Sequence, residues 1–502
     1  MLPTSVIGLI VAVAVLVFLV LRTKVHVLIA MLAAACIAGL IGGLSVNDTM
    51  STISAGFGGT LGGIGIVIGL GVMMGAILET SGAGESIAYH FIKWLGKKKE
   101  ETALAVTGYI VSIPVFVDSA LIILYPIAKS LAKTSQRSIL TLTVALAGGL
   151  VVAHHAIPPT PGPLGVASIF GVDLASMLGF GLVVAAPCIA GIVWYARWLE
   201  KQFPEYIPVE QLNKSSEQLQ QDHKTYLASK ESKKLPSLTK SVAPIAVPIL
   251  LILFKSLMSL FENSFGLEGL SSSLAGQIID FLGSPVIALS IATLLAIYTL
   301  GNHLSKEQVT DKLEDGISSC GIILLVTGAG GALGAVLRET GAGAEIANQV
   351  ASLPISPIMI PFIIATLVRV IQGSGTVSMI TAASISAPVL IEIPDVNLLF
   401  AATAATMGSL FAGYFNDSLF HIVNRLMGVT EVKKQLIIWT VPTTIAWAIG
   451  GSLVMIMNLI FGSQGSIIDP VLPLLVLGSC YLFVKSYEKK KSNHLEPTNT
   501  SA

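Results

Sequence analysis

Charge is scarce in this chain. Only 12% of the 502 residues are Asp, Glu, Lys or Arg, while 53% are apolar. Soluble globular domains carry about 25% charged and about 45–50% apolar residues, so a water-soluble fold is excluded. The 29 basic and 29 acidic residues cancel, which leaves no basic surplus for a nucleic-acid partner. Cysteine is nearly absent. Cys36, Cys188, Cys320 and Cys480 all lie in apolar segments, and none has the spacing of a metal site or redox pair. No metal and no cofactor is therefore expected. Aromatic residues make up 7% of the chain and form no cage for a quaternary ammonium ligand. No serine–base pair points to an enzyme.

Long apolar runs dominate instead. A membrane-crossing helix needs roughly 20 apolar residues. Runs of that kind predict spans at residues 3–21, 25–43, 58–79, 138–153, 177–197, 242–261, 276–300, 316–337, 435–459 and 469–484, with a further one broken around 413–418. The expected fold class is an all-α polytopic membrane protein embedded in the lipid bilayer of the inner (plasma) membrane. Residues 2–21 have no basic n-region and too long an apolar run for a signal peptide, so they read as a retained first span. Lys and Arg cluster at Arg22 and Lys24, at the lysine run 97–99, at Lys133 and Arg137, in the hydrophilic linker, at Lys306 and Lys312, and at Lys485 and 489–491. Loops 45–55 and 262–273 have none. The positive-inside rule then places the N-terminus outside and the C-terminus in the cytoplasm. Residues 79–101 are too polar to span and read as a short helix on the cytoplasmic surface.

One stretch, GYIVSIPVFVDSALIILYP at 108–126, is apolar yet broken by Pro114 and charged at Asp118. A charge at the bilayer centre costs at least about 2.5–3.5 kcal/mol, so such a group is expected to face water, a partner or a ligand. Residues 102–132 have cytoplasmic marks at both ends and are too short for two spans. A re-entrant hairpin is predicted, with its tip at 114–119. The prolines of HHAIPPTPGP at 154–163 cannot continue a helix, so the span from 138 is predicted to break there.

The pattern then repeats. GAILETSGAGESIA at 75–88 matches GAVLRETGAGAEIA at 334–347, an offset of 259 (334 − 75). The same offset carries Ser119 to Ser378 and the stretch 154–163 to 413–422. It places a second hairpin over 354–391 with its tip at 372–378. Each half holds five spans and one hairpin, an odd number, so the halves are expected to be inverted. Inverted repeats with broken helices characterise secondary transporters, whose sites lie at the repeat interface. The expected organisation is a first repeat over 1–199 (scaffold 1–57, transport elements 58–176, a span 177–199), a cytoplasmic linker at 200–241, a second repeat over 242–460, and a last span and tail over 461–502.

Four irregular stretches should converge on one site. The first tip offers Phe116, Asp118 and Ser119. The first break offers His154, His155 and Thr160. The second tip offers Gln372, Gly373, Ser374, Gly375, Thr376 and Ser378. The second break offers Asn416, Asp417 and Ser418. Half-helix N-termini at such breaks favour an anion, typically a carboxylate, and the hydroxyl and amide side chains suit a small polar organic acid. Arg369 is placed to bind a carboxylate bidentately or to pair with an acid of the chain. Coupling to a proton needs a group that changes charge, and the candidates in order are Asp118, Asp417 and His154. A sodium site built from unwound carbonyls is the alternative.

These residues resemble the gluconate permease family (gluconate:proton symporters) of the ion transporter superfamily, over nearly the whole chain. The motifs are IPVF with an acid two residues on at 113–118, H-x-x-x-PP-x-PGP at 154–163, R-x-x-QGS-x-TV at 369–377, and NDS-x-F at 416–420 followed by Arg425 and Leu426. The resemblance implies a homodimer in which a scaffold supports a mobile, elevator-like domain carrying both hairpins. It also implies uptake of a sugar acid or a related small hydroxy or amino acid. The gluconate type tends to have Tyr-Glu-Val-Gly where this chain has Val117, Asp118, Ser119 and Ala120. It tends to have His in place of Thr160, and Ser-His in place of Gly413 and Tyr414. These departures leave open smaller acids such as glycerate, or D-serine.

Overall fold

The structure is a computed structural model that describes residues 3–95, 99–135, 137–207, 218, 235–265, 273–302, 304–345, 355–462 and 465–495. Two apolar helices open the chain, α1 (Thr4–Arg22) and α2 (Val27–Ile41). The expected loop over 45–55 is instead the start of α3 (Val46–Thr80). Ser45 explains this, because its side chain accepts the Asp48 N–H at 3.1 Å and the Asp48 carboxylate meets the positive end of the helix. α4 (Ala83–Leu95) is a short amphipathic helix that buries Ile87, Ala88 and Ile92 and exposes Trp94.

The first hairpin consists of α5 (Glu100–Val111) and α6 (Val117–Thr134). The sequence assigns Glu100 and Glu101 to a polar surface stretch, but both are buried in the first turn of α5. Arg137 lies 3.3 Å and Arg197 2.7 Å from Glu101, and Glu200 pairs with Arg137 at 3.2 Å. A buried carboxylate is tolerable when it is paired in this way. α7 (Ile139–Ala156), α8 (Pro161–Phe170) and α9 (Leu174–Gln202) complete the first half.

The second half begins with α10 (Leu238–Phe265). The expected span 276–300 is two helices, α11 (Leu274–Leu282) and α12 (Pro285–Leu300), bent by 65°. Pro285 has no N–H to continue the ladder and therefore begins a new helix. α13 (Lys306–Glu339) starts earlier than the expected 316, because Ser305 and Gln308 form a capping box that places Lys306 and Lys312 within the helix. Then come the second hairpin, α14 (Met359–Gln372) and α15 (Gly375–Leu390), and a broken pair, α16 (Leu398–Gly408) and α17 (Ser418–Leu426). α18 (Val432–Gln435) runs through a π-helical turn, Leu436–Thr440, into α19 (Val441–Phe461), and α20 (Val471–Leu495) follows. Lys97 and Lys98, most of the 200–241 linker and of loop 262–273, and the tail beyond 495 lie outside the described residues.

By length and composition, six helices among the described residues can cross a membrane: α3, α7 with α8, α9, α10, α13, and α18 with α19. The bent α11–α12 pair makes seven. The eleven expected spans also include α1, α2 and α16, which are apolar but shorter. The repeat is visible in the element boundaries. α2, α3, α5, α6, α7, α8 and α9 recur as α12, α13, α14, α15, α16, α17 and α18–α19. Start-to-start separations are 258 (285 − 27) for α2, 260 (306 − 46) for α3, 259 (359 − 100) for α5 and 257 (418 − 161) for α8. Packing repeats as well. A Cβ on Gly149 would overlap the Ala105 carbonyl, and one on its repeat mate Gly408 would overlap the Phe362 carbonyl. In each half a glycine notch thus lets the broken helix lie against the first hairpin arm.

Candidate substrate-binding site

The four breaks meet around one cavity of about 530 Å³. Its lining includes Phe116, Asp118 and Ser119 from the first hairpin, and His154 and His155 from the first broken helix. The second hairpin supplies Arg369, Gln372, Gly373, Ser374, Gly375 and Thr376. The second broken helix supplies Asn416, Asp417 and Ser418. Val117, Val151 and Leu419 complete the lining; as ordinary apolar residues they carry no signal in the sequence. Ser378 is not among the lining residues, being buried with its hydroxyl donating to the Ser374 carbonyl at 2.6 Å, and neither is Thr160. It is buried at the N-cap of α8, and its hydroxyl donates to the Ile157 carbonyl inside the break.

The irregular segments are shorter than their composition predicts. The first tip is 112–116, so Asp118 and Ser119 lie in the first turn of α6. His154 and His155 lie in the last turn of α7, and Pro161 is the first residue of α8, where a missing N–H costs nothing. In the second tip only Gly373 and Ser374 are non-helical. Gly373 has φ 80°, and a Cβ there would overlap the Asn416 carbonyl, so only glycine combines this conformation with this approach. Three helices, α6, α15 and α17, begin at the cavity with lining residues in their first turns. Each N-terminus carries about half a positive charge.

The freed backbone is largely accounted for. Ser374 accepts the Val377 N–H at 3.4 Å, and Asp417 accepts the Leu419 N–H at 3.2 Å. The Val370 carbonyl at the end of α14 accepts from Asn416 Nδ2 at 3.0 Å and from the Tyr414 hydroxyl, which stitches the second break to the second hairpin. Gly413 donates its N–H to Thr443 at 2.9 Å and accepts from the Thr440 hydroxyl at 2.7 Å. Thr440 closes the π-helical turn and Thr443 follows it by three residues; such turns are frequent at functional sites.

The charges divide unequally. Asp417 and Arg369 are both buried and pair at 2.6 Å. Of the two roles open to Arg369, the structure therefore gives it an acid of the chain as partner. Asp118 has no cationic partner among the described residues, and its Oδ2 accepts only the Ser418 hydroxyl of the other repeat, at 2.7 Å. His155 donates from Nδ1 to the Val151 carbonyl at 2.8 Å. That bond leaves Nε2 as the free ring nitrogen, close enough to Gly375 that a Cβ there would overlap it. His154 Nδ1, His155 Nε2, Arg369 Nε, Gln372 Oε1 and Asn416 Oδ1 are buried and have no hydrogen-bond partner among the described residues. Unpaired polar atoms are costly and rare in protein interiors, and here five belong to residues of one cavity. Among the described residues no cluster of His, Cys, Asp and Glu could hold a metal ion.

Comparison with known proteins agrees with this architecture. The profile of GntP family permeases matches residues 4–460. An uncharacterized permease of Haemophilus influenzae is 59% identical over 97% of this chain and 99% of its own length. A gluconate permease of Pseudomonas aeruginosa is 30% identical over 89% and 95%. The D-serine transporter DsdX of Escherichia coli is 31% identical over 87% and 94%. Among solved structures, Neisseria gonorrhoeae MtrF, described with a class of antimetabolite efflux pumps, superimposes with a TM-score of 0.60. It covers 91% of this chain and 99% of its own at 15% identity, a likeness of fold. The all-helical polytopic fold, the repeated broken helices and the matched profile together make this chain a member of the GntP family of permeases, a transporter and not an enzyme.

Proposed function

We propose that this permease is a secondary active transporter that takes up a small hydroxy acid, sugar acid or D-serine together with a proton. The observation that carries this reading is the cavity at the meeting of four breaks, whose lining residues include Asp118 and five with buried, unpartnered polar atoms. Its size of about 530 Å³ lies within the range of about 300–1,000 Å³ found for small-molecule sites. Three helix N-termini favour a carboxylate, and the side chains of His155, Gln372 and Asn416 are left to bond hydroxyl or amino groups. The named relatives carry gluconate and D-serine in their descriptions, which supports the same class of cargo here.

Coupling is assigned to Asp118. Formal charges in the cavity are −1 on Asp118, −1 on Asp417 and +1 on Arg369. The last two cancel within a buried pair, so one carboxylate remains to take one proton as one anion enters. Asp417 is thereby demoted from the coupling candidates, and His154 stands behind Asp118. The inverted arrangement of the halves, an elevator movement of the hairpin-bearing elements, a homodimer, residence in the inner membrane and an N-out, C-in orientation belong to the same proposal.

The test is a ligand screen by thermal shift on the purified protein, using D-gluconate, D-glycerate, D-serine and a panel of dicarboxylates. A ligand at 100 times its Kd stabilises by about 2.7 kcal/mol. Stabilisation by at least one of the first three supports the reading. Stabilisation by dicarboxylates alone, or only when sodium is present, overturns it.

A further inference from the structure

A second cavity lies at the other end of α17. It is open, encloses about 670 Å³, and is lined by His421, Asn424, Arg425, Thr430 and Gln435 among others. α17 has nine residues and is roughly 13 Å long, so one short helix joins the two cavities. Ser418 and Leu419 line the central one, and His421, Ile422, Asn424 and Arg425 line the second one. Ser418, His421 and Arg425 are all exposed. They fall at i, i+3 and i+7, a single helix face. The Ser418 end of this face touches Asp118.

Arg425 has no ion-pair partner among the described residues. A cation in the last turn of a helix is locally favourable, but that does not account for an open cavity beside it. Asn424, 2% exposed, donates from Nδ2 to the Phe420 carbonyl at 2.7 Å and leaves Oδ1 without a partner. An unpaired guanidinium next to an unpaired amide oxygen matches a carboxylate that carries a neighbouring hydroxyl or amino group.

We propose that this second cavity is a second, weaker substrate site, where Arg425 holds the carboxylate as the acid passes along the α17 face between the central cavity and the cytoplasm. This rests on the transport reading above. In the N-out, C-in orientation this cavity lies on the cytoplasmic side, so a positive residue there raises the local anion concentration and the on-rate of acid arriving from the cytoplasmic face, without changing affinity at the inner site.

The test uses the full-length protein in liposomes of neutral lipid, and in parallel with phosphatidylglycerol added. The probe is whichever of D-gluconate, D-glycerate or D-serine is taken up. Arg425→Gln should lower kcat/KM for acid loading from the cytoplasmic face, read as efflux or counterflow, about tenfold, flatten its dependence on salt, and leave the equilibrium Kd at the central cavity within about twofold. Arg425→Lys should retain most of the rate. Thr430→Lys should restore it in the Arg425→Gln background, which a purely structural role of Arg425 would not allow. Wild-type kinetics and salt dependence in Arg425→Gln overturn the proposal, as does a parallel loss of central affinity. A defect confined to phosphatidylglycerol vesicles assigns Arg425 to a lipid headgroup and also overturns it. If the wild-type protein takes up none of the three probes, the transport reading fails and this proposal falls with it.

Discussion

The Arg369–Asp417 pair offers a quantitative check on the site. Both side chains are almost completely buried, at 4% and 10% exposure, and meet at 2.6 Å. Removing one member leaves an uncompensated charge beside the cavity, at a cost of about 3–5 kcal/mol. Arg369→Met strands Asp417. Asp417→Asn strands Arg369 while keeping an oxygen to accept the Leu419 N–H. The double variant strands neither and loses about 1 kcal/mol for a missing hydrogen bond. An unfolding entropy of about 2.1 cal/mol/K per residue over 502 residues gives roughly 1 kcal/mol per kelvin. Each single variant should therefore melt about 3–5 °C below wild type, and the double variant about 1 °C below. Thermal unfolding in detergent, followed by the monodisperse fraction after heating, supplies the cycle. Additive losses, or single variants within about 1 °C of wild type, would refute the claim that the two charges neutralise each other.

Further expectations concern the rest of the site. Gly375→Ala should abolish binding and destabilise by about 1–3 kcal/mol, because the new methyl group collides with His155; ligand-induced thermal shift measures the first and the melting midpoint the second. Thr160→Val should leave substrate affinity unchanged by the same assay, since Thr160 is absent from the cavity lining and bonds only Ile157. Arg137→Ala should lower the melting temperature while leaving the Kd unaltered, because away from the cavity it strands Glu100 and leaves Glu101 with Arg197 alone. A single unpaired carboxylate implies one proton per substrate, so a valinomycin-imposed membrane potential alone should drive no uptake of gluconate or glycerate, whereas it should drive uptake of zwitterionic D-serine.

Much of this was legible because broken helices announce themselves. Pro114, the prolines at 154–163 and the Gly-Ser-Gly run at 373–375 cannot be hidden inside continuous spans, and a constant offset ties the halves together. Charged or hydroxylated residues within apolar stretches marked the lining, and all but Thr160 and Ser378 reach the cavity. Thr160 misled because proline is welcome at the start of a helix: α8 resumes at Pro161 and turns Thr160 into a cap. What stayed hidden depends on neighbours distant in sequence. The pairing of Arg369 with Asp417 spans 48 residues, and the burial of Glu101 depends on Arg197, which is 96 residues away. The start of α3 is different in kind. Ser45 and Asp48 are local capping signals, and the polarity of 45–55 simply outweighed them. The 65° bend before Pro285 was concealed by uniform apolarity on both sides.

The central claim, that the unpaired Asp118 couples a proton to movement of a small acid, is tested most directly by uptake into proteoliposomes under an imposed pH gradient. With the acid identified in the ligand screen, wild-type protein should accumulate it against its gradient only when the outside is acidic. Asp118→Asn should equilibrate or exchange the acid without accumulating it. Proton-driven accumulation by Asp118→Asn at the wild-type level, or wild-type accumulation that follows a sodium gradient at fixed pH, would contradict the account.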